Sequence, residues 1–165
     1  MGLLSADNPR DTTIAWGFVA GQFALLGVIL FLPSGGQWTL PTWLATSARW
    51  LQWVGIGMLV VAAVNLGRSL TPLPSPVPHG ELRTGGLYRL VRHPIYTAIM
   101  AWSVGTAIRS GNAATAFAAA ALIAWFMLKA RWEEKQLRER YPGYGEYAAR
   151  TPRFVPFCPP GRRRR

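Results

Sequence analysis

"GGLYRLVRHPIYTAIM", residues 85–100, sets Arg89, Arg92 and His93 directly against the start of an apolar run. A proline has no backbone donor to lose and fits the first turn of a helix. The residue before it is pushed away from helical geometry. The order His93-Pro94 therefore predicts a helix beginning at Pro94, with the His93 ring just outside it, beside its positive N-terminal end. Charge is expensive inside a bilayer, so this stretch reads as the point where the chain enters one.

Working outward, the apolar residues fall in blocks. Residues 12–32, 50–67, 94–108 and 110–128 carry no Asp, Glu, Lys or Arg. A span needs roughly 20 apolar residues to cross ~30 Å of hydrocarbon. The first block meets that length, the second and fourth come close, and the third is a short span whose entry turn belongs to the opening stretch. The expected fold is all-α: a polytopic membrane bundle of four transmembrane helices, with a helical extension and a C-terminal strap on the cytoplasmic side. The first block is expected to be a retained span, because "MGLLSADNPRD" has two acids against one arginine and "LPSGGQWTLP" offers no small-x-small cleavage site.

The formal net charge of +11 would suggest nucleic acid in a soluble protein, but no aromatic-basic interleaving or folded reader accompanies it. Its distribution points to membrane orientation instead. Arg10, Arg68, Arg83, Arg89, Arg92 and the eleven Lys/Arg from Lys129 onward fall on one side, against Arg49 and Arg109 on the other. Sixteen against two is a positive-inside pattern, predicting that both termini and the 67–93 loop are cytoplasmic. The terminal "RRRR" suits anionic lipid headgroups. Cys158 is the sole cysteine, so no intrachain disulfide or cysteine-based metal site is expected, and no metal site is proposed.

Three segments follow: a two-span hairpin over 1–66, a core over 67–158 and a basic tail over 159–165. "PSGGQWTLP" (33–41) and "RSGN" (109–112) are too sparse to build a pocket, so any chemistry is expected on the cytoplasmic side. "PLPSPVP" (72–78) is a stiff connector. The last apolar block runs into "KARWEEKQLRERY" with no breaker before Pro142, which predicts one helix continuing roughly three turns beyond the membrane. The prolines of "TPRFVPFCPP" predict an extended strap.

The chemistry-bearing residues lie in two places. In the opening stretch, a helix N-terminus attracts anions, Arg92 adds charge, Gly85 and Gly86 allow close backbone approach, and Tyr88 and Tyr96 bracket the site. That set suits a ligand with a carboxylate and an aromatic or ribose portion; ordinary interfacial anchoring by Tyr and Arg is the competing reading. In "RWEEKQL" (131–137), adjacent acids on a helix diverge by about 100° and cannot share one partner on one face. Glu134 is expected to pair outward with Arg138. Glu133, with Leu137 on its face, is expected to turn inward as a functional candidate.

Gly86, Tyr88, Arg92, His93, Pro94 and Tyr96 form G-x-Y-x-x-x-R-H-P-x-Y. About 35 residues on, Arg131, Glu133, Glu134 and Leu137 form R-x-E-E-x-x-L. Together they resemble the isoprenylcysteine carboxyl methyltransferase family, and phosphatidylethanolamine N-methyltransferases are similar in the same motifs. The tail "YPGYGEYAARTPRFVPF" is similar to that family's closing segment, so the resemblance covers roughly residues 65–157. It departs at Ala98, where glycine is usual, and in "YPGY", one residue shorter than the family's F-G-x-x-Y.

The resemblance implies an integral-membrane methyltransferase that uses S-adenosyl-L-methionine on the cytoplasmic side under a capping tail. It implies cofactor contacts from Glu81, Leu82, Arg83, Gly86, Tyr88, His93, Pro94, Tyr96 and Glu133. Lys129 and Arg131 fall on the substrate side, and Arg92, Glu134 and Arg131 are the candidate catalytic side chains. The acceptor is lipophilic: an isoprenylcysteine-like carboxylate, a lipid amine or a thiol. Two other readings compete. Membrane sterol reductases, which bind NADPH, end in a similar region, and a non-catalytic helical scaffold is the second.

Overall fold

The computed structural model describes residues 9–33, 35–36, 38–66 and 82–157. These form α1 (Pro9–Phe31), α2 (Thr42–Leu66), a single 3₁₀ turn (Gly86–Arg89), α3 (Pro94–Ser110), α4 (Ala113–Arg140) and α5 (Tyr144–Arg150), with no strand among the described residues. The all-α expectation holds. Glu81, the "PLPSPVP" connector, Cys158 and the basic tail lie outside the described residues.

Among the described residues three helices are long and apolar enough to cross a membrane: Asp11–Phe31, Thr42–Leu66 and Ala113–Arg140. At 17 residues α3 is the short one, covering about 25 Å at ~1.5 Å per residue. The outer faces of α1 and α2 are apolar and bare. Trp43, Trp50, Trp53, Val64 and Phe23 are all exposed, a surface for which hydrocarbon rather than water is the matching solvent.

The interior is built largely from small residues. Ala48, Ala62, Ala98, Ala107, Ala118, Ala119 and Ala130 are buried, with Leu122 and Phe126 between them. Helices in lipid gain little from hiding apolar surface and associate by close packing, which small residues permit. The α2–α3 pair is the clearest case. A Cβ at Gly55 would stand 2.7 Å from the Ala98 carbonyl oxygen, and one at Gly105 2.6 Å from that of Ala48. Each helix thus presses a glycine against the other's backbone. Gln52 ties the same seam, donating to Thr106 Oγ1 at 2.8 Å and accepting from Arg109 at 2.7 Å. Gly55→Ala is expected to cost about 1–3 kcal/mol of stability, the usual range for overpacking; thermal unfolding in detergent measures it.

The α3–α4 connection follows from "RSGN". Gly111 takes the left-handed conformation (φ 60°) that ends α3, and Asn112 Oδ1 accepts from Ala114 N at 2.8 Å to cap α4. α4 then runs unbroken to Arg140, so the motif acids ride on its far end. Because α3 starts at that same end, "RHPIY" and "RWEEKQL" meet. α5 was not anticipated from sequence: the seven residues of "YGEYAAR" coil between the end of α4 and the tail.

An apolar groove between α2, α3 and α4, lined by Leu44, Val104, Ala119 and Ile123 among others, lies at the opposite end of the bundle. It offers nothing to a charged ligand.

Candidate active site

α3 begins at Pro94, and His93 has non-helical backbone (φ −125°, ψ 64°), as the His-Pro order predicts. Gly86 has φ +59°, and a Cβ there would strike the Asn65 side chain at the end of α2. The glycine seats the turn against α2, so Asn65 is the group that the backbone passes.

The His93 ring is 7% exposed and stands between the two motif acids. Nε2 lies 3.2 Å from Glu134 Oε1 and Nδ1 3.5 Å from Glu133 Oε2. The two acids thus meet one ring from different sides, not one partner on a single helix face. An imidazole carries nitrogens on two sides of its ring, so it bridges carboxylates that diverge around the helix.

The assignment of the acids is corrected as well. Glu134 does not pair outward with Arg138; it is 3% exposed and collects two guanidinium groups beside the His93 ring. Arg153 donates to both its oxygens, at 2.8 and 2.7 Å, a two-point guanidinium–carboxylate fit. Arg92 reaches Glu134 Oε1 at 3.2 Å and donates to the Ala148 carbonyl at 2.9 Å. Arg138 lies instead over the Tyr144 ring, 5.7 Å from its centre. The cations of the opening stretch thus meet the protein's own anion.

Glu133 does face the bundle, yet its side chain stays 22% exposed. Tyr96 donates to its Oε2 at 2.9 Å. Tyr96 and His93 both meet Glu133 at Oε2. The Tyr96 ring is held between His93 (centroids 5.2 Å, nearly parallel) and Phe126 (4.7 Å). Its hydroxyl, not its face, is what it offers the site.

The chain beyond α5 completes the cluster. Arg92 N donates to Pro152 O at 2.9 Å, His93 N to Arg153 O at 3.2 Å, and Thr97 Oγ1 to Phe154 O at 2.9 Å. The Phe154 ring lies 5.8 Å from that of His93. Tyr147, on α5, donates to the Tyr88 carbonyl at 2.5 Å. Partial burial, and secondarily the Glu133 charge, push the Tyr88 phenol up to about 12, so it remains a neutral donor. Tyr144 Oη and Arg92 Nε are buried without a hydrogen-bond partner among the described residues.

Of the predicted set, Arg92, His93, Pro94, Tyr96, Glu133 and Glu134 come together at one end of the bundle, with Tyr88 within electrostatic reach of Glu133. Lys129 is buried one turn deeper, over the Tyr96 ring at 5.3 Å. Leu82 packs beneath α5, and Arg83 and Arg131 are exposed and outside the cluster. Arg153, Thr97 and Gln22 were not singled out from sequence. Arg153 sits in the quoted tail, but nothing local distinguishes it from the other surplus cations.

A helical bundle with lipid-facing outer walls and a buried carboxylate–imidazole–guanidinium cluster at one end defines an integral membrane protein with a charged site at its rim. The chain belongs to the phospholipid methyltransferase family, whose model matches residues 41–143. It is 34% identical over 119 residues to protein-S-isoprenylcysteine O-methyltransferase B of Arabidopsis thaliana, covering 66% of this chain and 60% of that one. It is 35% identical over 103 residues to the cobalt-zinc-cadmium resistance protein CzcN of Cupriavidus metallidurans, covering 61% of this chain and 48% of that protein. With the nickel-cobalt-cadmium resistance protein NccN of Alcaligenes xylosoxydans xylosoxydans it shares 27% identity over 157 residues, 93% of this chain and 71% of that one. The chain thus spans about 60% of the length of the plant methyltransferase it matches.

Proposed function

We propose that the chain is an S-adenosyl-L-methionine-dependent methyltransferase that modifies a lipophilic acceptor drawn from the bilayer. The observation that carries this reading is the Glu133 carboxylate. It is fixed by Tyr96 and His93 through Oε2, and its side chain, 22% exposed, is within reach of hydroxyl or ammonium donors. Family membership gives that geometry its chemical meaning. The residues fit the cofactor: Glu133 would hold ribose hydroxyls or the amino group, with the Tyr88 and Tyr96 hydroxyls beside it. When bound, the cofactor supplies an electrophilic methyl on a sulfonium. The protein's own part is to orient two reactants and exclude water.

In this reading α3 is a short fourth span, both termini are cytoplasmic, and residues 151–157 serve as the strap over the site. The basic asymmetry of the sequence and the hydrogen bonds from residues 92, 93 and 97 to that segment support it. A carboxylate acceptor needs no base, whereas an ammonium acceptor must first lose a proton. Glu134 is saturated by guanidinium groups, and His93 faces a carboxylate at each nitrogen. That occupancy favours the carboxylate, as does the likeness to an isoprenylcysteine O-methyltransferase.

Detergent-purified protein supplied with methyl-labelled S-adenosylmethionine tests the reading. Label is expected in the organic extract with a prenylated-cysteine acceptor, and not with phosphatidylethanolamine or a lipophilic thiol. Binding of NADPH without binding of S-adenosylmethionine would replace this reading with the reductase one.

A further inference from the structure

Two large apolar side chains stand outside the protein beside the charged cluster. Val155 is 64% exposed and Phe157 92%, both in the strap that follows α5. Phe157 also has φ 62°, a left-handed backbone that a bulky residue adopts only at a cost. At that exposure, packing against the described residues offsets little of it. Leu90, two residues before the Arg92 whose backbone holds the strap, is exposed as well. Apolar side chains held outward in this way call for a solvent other than water.

The hydrogen bonds of the strap fix its level along the bundle. Thr97, on the first turn of α3, donates to Phe154 O at 2.9 Å, and the Phe154 ring lies against His93. Arg92 N and His93 N donate to Pro152 O and Arg153 O. The strap therefore crosses where α3 enters its apolar run, and Val155 and Phe157 emerge at the boundary between hydrocarbon and water. Aromatic side chains of membrane proteins settle at that boundary.

The surrounding charge fits the same partner. Arg89, which ends the 3₁₀ turn, and Arg150, which ends α5, are exposed, and Arg162 to Arg165 follow in sequence. Apolar side chains and cations together are the two signals that hold a segment on a lipid surface. A second copy of this chain would bring the same cations face to face, which disfavours it as the occupant.

We propose that Val155 and Phe157 dock the strap into the lipid interface, so that the bilayer surface is part of what holds residues 151–157 over His93 and Glu134. Lipid closes the site from outside, while the Arg153–Glu134 pair ties it from within. What the site binds rests on the methyltransferase reading; the docking does not.

The first measurement is depth. A nitroxide is attached at position 157 in the Phe157→Cys/Cys158→Ser variant, reconstituted into vesicles of phosphatidylcholine and phosphatidylglycerol. In electron paramagnetic resonance, collisions with oxygen, which concentrates in hydrocarbon, are expected to outnumber those with a water-soluble nickel chelate. The second measurement is affinity in the same vesicles. Val155→Ser/Phe157→Ser is expected to bind S-adenosylhomocysteine about tenfold more weakly than wild type, because two apolar side chains no longer hold the strap in lipid. Neither side chain packs in the interior, so this variant is expected to keep the wild-type unfolding midpoint in detergent. Collisions dominated by the nickel chelate put position 157 in water and overturn the proposal. Dipolar broadening that dilution with unlabelled protein removes puts a second copy on this surface and overturns it too. So does a serine variant that binds as tightly as wild type. Wild-type protein that binds no S-adenosylhomocysteine while the nitroxide lies in lipid overturns the methyltransferase reading and leaves the docking standing.

Discussion

Glu134→Ala is expected to lower stability by about 3–5 kcal/mol, the cost of removing one partner from a buried charge cluster. Glu134 is the only described carboxylate paired with Arg92, whose side chain is 9% exposed, and it also holds Arg153 and one face of His93. Without it the buried Arg92 guanidinium loses its carboxylate, and the partly exposed Arg153 loses its anchor. The damage should spread to residues 151–157, because the Arg153 side chain is what ties that segment to α4. Thermal unfolding in detergent measures the loss, and limited proteolysis should then cut within the tail before the bundle. An unchanged midpoint would mean that the cluster contributes nothing to the fold.

The neighbouring acid should behave in the opposite way. Glu133→Gln is expected to weaken binding of the cofactor product S-adenosylhomocysteine by one to two orders of magnitude, about 1.5–3 kcal/mol, the worth of a hydrogen bond to a charged group. Its effect on stability should be small, because the amide oxygen still accepts from Tyr96 and no guanidinium depends on Glu133 among the described ion pairs. Calorimetry on the variant decides it, and unchanged affinity would remove Glu133 from the site. Two adjacent glutamates on one helix are thus separated by experiment into a structural acid and a ligand-binding one.

That division was only half legible in the sequence. The start of α3 was, because His-Pro constrains two consecutive backbones whatever surrounds them. The run of α4 past the apolar block was, because nothing before Pro142 interrupts it. The start of α2 was legible in the turn residues of "PSGGQWTLP" (33–41), which end just before it, and not in the charge pattern. It begins at Thr42, well before the charge-free block at residue 50, and carries Arg49 on the helix. Charge-free blocks mark apolar stretches, whereas helices end where capping and turn residues end them.

The roles of the acids were misjudged for a different reason. Leu137 and Arg138 are local cues, and they placed Glu133 inward and Glu134 outward. The partners that fix Glu134 are Arg92 and His93, more than 40 residues earlier, and Arg153, beyond α5. Tertiary partners of that kind leave no periodic trace. Gln22 is of the same kind: one amide in an apolar helix means little until Lys129 stands opposite it.

The central claim is that the end of the bundle holding His93, Glu133 and Glu134 is a cofactor site and not an interfacial anchor. The most direct measurement is the unfolding of detergent-purified wild-type protein with and without S-adenosylhomocysteine. A ligand that binds only the folded state stabilises it by RT ln(1 + [L]/Kd), about 2.7 kcal/mol at a hundredfold excess over Kd. The account predicts a rise in midpoint that grows with ligand concentration and is lost in Glu133→Gln. A midpoint that stays fixed up to millimolar S-adenosylhomocysteine would contradict it.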